Sequence, residues 1–357
     1  MKLIHCADIH LDSPMETHMT AEQASERNTE VIRSFIRMTN YAVENDVRAV
    51  IIAGDLFDGE RVRMRTVDEI LDAMQRTPEV DYLYVPGNHD KVKHIFFGRS
   101  LPDNFKQFGR QWHTYVYENV SVSGIEICDE NSNLLYRDIP HTDGHINIIS
   151  LHGQVGTASG TDKVNLELLK NKGIDYLALG HIHSHVVCPL DEDGVYCYSG
   201  CLEGRGFDEC GEKGFVLLTT DEKKIRYEFV PFSYRQLHRV YVDITGLSKN
   251  SDVWTKMQLA ANGIQSNDMV EFILTGYNDP TCNIAASYLQ NIIRDHFFFS
   301  KVKNESKMLV NPNIYKNDVS LKGEFIRLVL SSNADDADKA AIIQTGLQAL
   351  MGEEITL

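Results

Sequence analysis

The chain is 357 residues long and carries 35 Lys and Arg against 51 Asp and Glu, a formal net charge of −16. With 43% apolar and 24% charged residues, it has the balance of an ordinary globular protein of about two domains, and no run approaches the roughly 18 apolar residues of a membrane-crossing helix. The acid excess excludes a protein that grips nucleic acid by bulk charge alone, but not an enzyme that acts on nucleic acid at a local site.

The opening Met1-Lys2-Leu3-Ile4-His5-Cys6-Ala7-Asp8 turns polar too early for a signal peptide. Residues 3–7 are the first of five short apolar runs, followed by 49–53, 82–85, 146–151 and 176–179. Each is too short for a buried helix and leans toward β-formers. Between them, Val31, Phe35, Met38 and Ala42 stand at i, i+4, i+7 and i+11, which puts one apolar stripe on a helix. Val67, Ile70, Leu71 and Met74 do the same on a shorter helix, with Pro78 as its stop signal. This alternation predicts layered α/β structure.

From about residue 186 the pattern changes to hairpins. Asp191-Glu192-Asp193-Gly194 is a turn between strands 186–188 and 195–198, and strands 214–220 and 225–232 flank Asp221-Glu222-Lys223-Lys224. The β-rich section ends near residues 231–238. A smaller unit follows, read as strand 240–244, helix 253–262, strand 269–275 and helix 283–296. Helices 321–330 and 335–351 come last, the second with Asp335 and Asp336 at its positive N-terminal end. The seven cysteines (6, 128, 188, 197, 201, 210 and 282) form no C-x-x-C pair. They read as free thiols in a reducing cytosol, which makes a cytoplasmic location the expectation.

Five polar clusters follow directly on the five apolar runs: Asp8-Ile9-His10, Gly54-Asp55-Leu56-Phe57-Asp58, Gly87-Asn88-His89-Asp90, His152-Gly153 and Gly180-His181-Ile182-His183. Taken singly, each is unremarked: an Asp-x-His pair on a surface, a Gly-Asn-His-Asp turn, a histidine at a strand end. Together they matter, because the loops at the carboxyl ends of strands in an open α/β sheet converge on one edge, where ligands bind. Nitrogen and oxygen donors without thiolates suit Mn, Fe or Zn. The D-x-H and H-x-H spacings, read as extended segments leaving a strand, put both donors on one side. The glycines before Asp55, Asn88 and His181 permit sharp turns and close approach. These features point to a dinuclear metal site. Two ions about 3.5–4 Å apart can bind phosphate oxygens and acidify water, and an imidazolium beside the leaving oxygen can donate a proton while a partner carboxylate keeps it charged. Phosphoester hydrolysis is the reaction that needs this set.

In this order the clusters resemble the five motifs of the calcineurin-like metallophosphoesterases. The resemblance implies a two-layered β-sheet core flanked by helices, with a first divalent ion held by Asp8, His10, Asp55 and His183. It implies a second ion held by a bridging Asp55 with Asn88, His152 and His181. His89 then resembles the family's catalytic histidine, with Asp58 as the carboxylate that orients or charges it. The segment from Leu3 to Pro14, with Ser199-Gly200, Gly206-Phe207-Asp208-Glu209 and Lys213-Gly214, resembles SbcD-type DNA repair exonucleases, especially their YhaO-like bacterial branch. Leu321-Lys322-Gly323-Glu324-Phe325 resembles the same branch.

That likeness implies a nuclease domain over residues 1–234 and a small α+β capping and DNA-recognition domain over 235–357. It implies two metal ions, Mn foremost with Fe or Zn as alternatives, and DNA as partner. An SbcC-type SMC-like ATPase or a second copy of the chain would be a further partner. SbcD-type subunits usually continue into a segment that docks on the ATPase; with the sequence stopping at Leu357, that segment is expected to be lacking, reduced or cut away. Arg61, Arg63 and Arg65 alternate with Val62 and Met64, so an extended segment would put all three on one face at the rim of the site. Lys91 and Lys93 follow the Asn88 motif, and Arg205 is a further candidate phosphate contact. His5 is expected inside the first strand and His185 on a loop, away from the chemistry. The readings competing with a DNA nuclease are a phosphodiesterase or phosphatase for small molecules or phosphoproteins, and a DNA-binding scaffold subunit of an SMC-like ATPase.

Overall fold

The computed structural model describes residues 1–15, 19–59, 62–90, 95–222, 224–278, 284–308 and 315–351. The chain divides into two compact units, Met1–Gln236 and Leu237–Leu357.

In chain order the first unit holds β1 (Lys2–Cys6), α1 (Ala21–Glu44), β2 (Val47–Ala53), α2 (Met64–Gln75), β3 (Asp81–Val85), β4 (Phe105–Gln107), β5 (His113–Tyr117) and β6 (Val120–Gly124). It continues with β7 (Ile146–His152), β8 (Gln154–Gly156), β9 (Lys163–Asn165), β10 (Tyr176–Gly180), β11 (Val186–Pro189), β12 (Val195–Tyr198), β13 (Gly214–Asp221) and β14 (Lys224–Pro231). Two six-stranded sheets result, ordered β14-β13-β1-β2-β3-β4 and β11-β12-β10-β7-β6-β5. Strands β1 to β4 are parallel in the first sheet, and β6, β7, β10 and β12 in the second; antiparallel strands β13 and β14 close one edge of the first sheet, and β11 and β5 both edges of the second.

The layers follow from which side chains alternate to which face. Leu3, Ile51 and Leu83 of the first sheet meet Val122, Ile148 and Tyr176 of the second in a shared core. On the other face of the first sheet, Ile4, Val50 and Ile52 pack against Val31, Phe35 and Met38 of α1 and Val67, Ile70 and Met74 of α2. Complete burial of a side chain such as Phe35 contributes about 1.5–3 kcal/mol. The far face of the second sheet, with Ile149, Leu151, Leu177 and Leu179, is covered by Leu135, Tyr136, Leu169 and Ile174.

Helix α1 starts at a capping box in which the Thr20 side chain accepts from the Gln23 backbone N–H. Helix α2 ends at Gln75, short of the predicted stop at Pro78, because the Thr77 hydroxyl and the Asn104 amide take up the Met74 carbonyl (3.0 and 2.8 Å).

The second unit holds β15 (Leu237–Asp243), α3 (Asn250–Ala260), β16 (Met269–Thr275), β17 (Tyr277–Asn278), α4 (Ala286–Ile293), β18 (Phe299–Asn304), β19 (Lys307–Met308), α5 (Leu321–Leu330) and α6 (Asp336–Met351). Strands β15, β16 and β18 form a parallel sheet. Val242, Phe272 and Leu274 pack against Val253, Met257, Leu289 and Ile293 of α3 and α4. A separate cluster of Tyr315, Ile326, Val329, Ile343 and Leu347 joins α5 to α6, and Asp335 caps α6 by accepting from the Asp338 N–H (2.8 Å). No helix among the described residues is long and apolar enough to cross a membrane. The six described cysteines are free thiols; Cys282 lies outside the described residues.

Candidate metal centre

The carboxyl ends of β1, β2, β3, β7 and β10 each deliver one polar cluster. The backbone there is not extended: Asp8, His10 and Asp55 have φ of 51°, 49° and 49°, and His181 has 104°. This corrects the picture of D-x-H and H-x-H pairs leaving their strands as straight segments. A non-glycine residue in this region costs of order 1–3 kcal/mol and persists only where its surroundings fix it. The fixing bonds run between motifs. The N–H groups of Asp8, His10 and Leu11 donate to the carbonyls of Gly54, Asp55 and Leu56 (3.0, 2.9 and 3.0 Å). The Asp90 carboxylate accepts from the N–H groups of Leu56, Phe57 and Gly87 (3.2, 2.8 and 2.9 Å). Two glycines are required by contact: a Cβ at Gly54 would lie 2.1 Å from His152 Nδ1, and one at Gly87 would lie 2.2 Å from Asp55 Oδ1.

The donors meet in two sets that share Asp55. In one, Asp8, His10 and His183 offer ligand atoms within 4.8 Å of one another; the Nε2 atoms of His10 and His183 face each other at 3.3 Å, and His10 Nε2 is 3.7 Å from Asp55 Oδ2. In the other, His152 Nε2 is 3.2 Å from the same Asp55 Oδ2 and 2.8 Å from Asn88 Oδ1, which lies 3.2 Å from His181 Nδ1. Donor atoms about 2.1 Å from one ion, at angles between a right angle and the tetrahedral value, stand roughly 3.0–3.4 Å apart, so the His10–His183 contact at 3.3 Å in one set and the Asp55–His152 and Asn88–His181 contacts at 3.2 Å in the other fit a divalent cation in each. His152 Nδ1 sits 2.9 Å from the Ala53 carbonyl, which fixes the ring with Nε2 turned toward Asp55.

The electrostatics point the same way. Burial works to lower the His152 imidazole, but the hydrogen bond and charge of Asp55, with the charge of Asp8, overcome it and push the group up to about 9. Burial would raise Asp55, yet the hydrogen bond and charge of His152 and the charge of His10 hold it well below the usual carboxylate range. Burial lifts Asp8 to about 6 against the pull of His152 and His183, and lowers His10 to about 4. Without a cation, then, His152 carries a proton at neutral pH, and it must surrender that proton to act as a ligand. Divalent-metal uptake at pH 7 is accordingly expected to release a proton, with apparent affinity rising as pH climbs toward 9 and falling steeply below 6, where Asp8 also protonates. Potentiometric titration in weak buffer checks this; uptake without proton release would contradict it.

His89 lies beside the donor sets. Its Nδ1 is 2.8 Å from Asp58 Oδ1, its side chain is 46% exposed, and its backbone N–H donates to Asp55 Oδ1 (2.8 Å). The ring of His10, 3.8 Å away, with Ser13 and His89, holds Asp58 well below the usual carboxylate range.

The basic residues depart from the extended picture. Arg63 precedes the first turn of α2, where its backbone N–H and its guanidinium bind Asp12, and Arg65 lies within α2 and pairs with Glu69 (2.8 Å). A helix start between them breaks the alternation that would have aligned the three arginines. Arg61, Lys91 and Lys93 lie outside the described residues. Arg205 is at the site, 2.8 Å from Glu209 and 3.5 Å from Asp58. His5 is buried in β1 against the Tyr176 hydroxyl (2.9 Å), and His185 stacks on Phe229 (ring centroids 4.6 Å apart). Two neighbours of the site were not anticipated. Glu209 Oε1 lies 2.6 Å from His183 Nδ1, and the buried Lys213 donates to the His183 carbonyl (2.8 Å). Both belong to segments singled out in the sequence, but nothing in their spacing says which side chain turns inward.

Residues 1–185, just over half the chain, match the family model described as calcineurin-like phosphoesterase. The chain is 27% identical over 263 residues to the uncharacterized metallophosphoesterase YhaO of Bacillus subtilis (strain 168), covering 69% of this chain and 64% of that protein. It is 25% identical over 286 residues to the DNA double-strand break repair protein Mre11 of Methanopyrus kandleri, covering 68% of this chain and 59% of that one. The match thus spans less than two thirds of either relative. Among solved structures, a dimetal phosphatase from Danio rerio aligns with a TM-score of 0.41 and 13% identity, over 66% of this chain and 99% of that one.

Proposed function

The chain belongs to the calcineurin-like phosphoesterase family, a family of dinuclear-metal hydrolases, and within it we propose an Mn²⁺-dependent DNA nuclease of the SbcD type that cleaves phosphodiester bonds in double-strand-break repair. The observation that carries the DNA reading is the similarity to a DNA double-strand break repair protein over 68% of the chain, more than the 185 residues of the family match. Asp8, His10, Asp55 and His183 would hold one ion, and Asp55, Asn88, His152 and His181 the other. The bound pair supplies Lewis acidity toward phosphoryl oxygens and lowers the pKa of water. Asp58 binds His89 through Nδ1, which leaves Nε2 to carry a proton to the leaving oxygen. Asp90, by tying the Asp55 and Asn88 motifs together, keeps that acid in register with the donors.

A second reading, a phosphodiesterase or phosphatase for small molecules or phosphoproteins, draws on the net charge of −16 and on the pairing of Arg63 and Arg65 with acids of their own chain. The same acidity implies that DNA binding by this chain alone is weak and salt-sensitive, with affinity supplied by an ATPase partner or a second copy. Turnover of linear DNA, a generic aryl phosphodiester and an aryl phosphomonoester, each with Mn²⁺, separates the two readings. Degraded DNA is the expected result. Intact DNA beside rapid monoester hydrolysis would favour the phosphatase.

A further inference from the structure

One pair of side chains beside the centre, Glu209 and Arg205, has no role in the chemistry above. Glu209, 6% exposed, sits at the back of the His183 ring, with Oε1 2.6 Å from Nδ1. An ionised carboxylate only accepts hydrogen bonds, so this short contact favours the proton on His183 Nδ1 and the lone pair on Nε2, ahead of the Arg205 Nη2 donor that lies 3.2 Å from the same Nδ1. That Nε2 faces His10 Nε2. Glu209 is itself held twice by Arg205, whose backbone N–H donates to Oε2 (2.8 Å) and whose Nη2 donates to Oε1 (2.8 Å). Through Nη1 the same guanidinium reaches Ser13 Oγ (3.2 Å) and Asp58 Oδ2 (3.5 Å). The loop bearing the pair is pinned from beneath: the fully buried Arg27 donates to the Gly204 carbonyl (2.8 Å) and pairs with Glu203 (3.1 Å).

We propose that Glu209 is a positioning residue of the metal centre, setting the tautomer and angle of His183, and that Arg205 locks Glu209 in place while tying it to the Asp58–His89 pair. Arg205 is then an internal brace, with its Nη groups engaged inside the site, and not primarily a DNA contact. The proposal rests on the two-ion reading above. It assigns Glu209 to one ion only, since no described contact joins it to Asn88, His152 or His181.

The test is an Mn²⁺ titration of native protein and of Glu209→Ala and Glu209→Gln, followed by calorimetry and by electron paramagnetic resonance. Native protein is expected to bind two ions with an exchange-coupled spectrum. Glu209→Ala is expected to keep one ion at native affinity and to bind the other about 10–100-fold more weakly, so that at intermediate Mn²⁺ an uncoupled six-line spectrum replaces the coupled one. Glu209→Gln keeps a carbonyl that accepts from Nδ1–H but loses the charge that holds Arg205, and falls between the two. A folded Glu209→Ala protein that binds both ions as native does would overturn the proposal and leave the metal centre standing. If the alanine variant does not fold, the glutamine variant decides: native affinity for both ions overturns the proposal, and weakening of one supports it. Native protein that takes up no ion overturns the metal-centre reading and this proposal with it.

Discussion

Replacing His89 with alanine is expected to lower phosphodiester hydrolysis by about 10²–10⁴-fold, the usual contribution of a positioned acid or base, while two divalent ions still bind. The structure separates these two effects. The His89 side chain points its Nδ1 at Asp58 and is nearly half exposed, so its ring occupies the rim of the centre. Its backbone N–H is what steadies Asp55, through a 2.8 Å bond to Oδ1, and alanine keeps that bond. Asp58→Asn should fall in the same direction, because the amide can present an NH₂ to the ring in place of an acceptor. Steady-state rates alongside metal analysis provide the check. Hydrolysis at the native rate by His89→Ala would remove this residue from the chemistry.

Asp55→Ala is expected to abolish uptake of both ions together. One carboxylate oxygen, Oδ2, lies 3.7 Å from His10 and 3.2 Å from His152, one ring from each donor set. Without it the sets keep Asp8 as their only carboxylate, and the buried His152 loses the partner that carries most of its charge compensation. Loss of an outer partner of a metal ligand costs about 10–100-fold in affinity. Loss of a carboxylate facing both sets should exceed that at each, leaving hydrolysis at background. Asp55→Asn, nearly isosteric, controls for packing; retention of one tightly bound ion in either variant would show that the sets are independent.

Much of this was legible in the sequence because strand ends and polar clusters coincide. The runs 3–7, 49–53, 82–85, 146–151 and 176–179 agree closely with β1, β2, β3, β7 and β10. The stripe of Val31, Phe35, Met38 and Ala42 is the buried face of α1. What stayed hidden depends on partners distant in sequence. β6 reads Val-Ser-Val-Ser-Gly, a half-polar run, yet it is buried throughout because Ser121 bonds Asn147 and Ser123 bonds Thr114 (2.8 Å each). β18 places Lys301 and Lys303 in a strand that periodicity did not mark; Lys303 pairs with the buried Glu271 of its neighbour (3.0 Å). The left-handed turns at Asp8 and His10 have no neighbouring glycine to announce them, since contacts between motifs hold them in place. The arginine row dissolved for a local reason: α2 begins inside it, and Asp12, from another motif, claims Arg63.

The most direct measurement is the number of Mn²⁺ ions bound per native chain at saturation, counted by elemental analysis after gel filtration and by the exchange coupling between them. Two ions per chain, magnetically coupled and both lost in Asp55→Ala, is the expected result. A native chain that binds a single ion, or none, would contradict a dinuclear phosphoesterase centre built on Asp55.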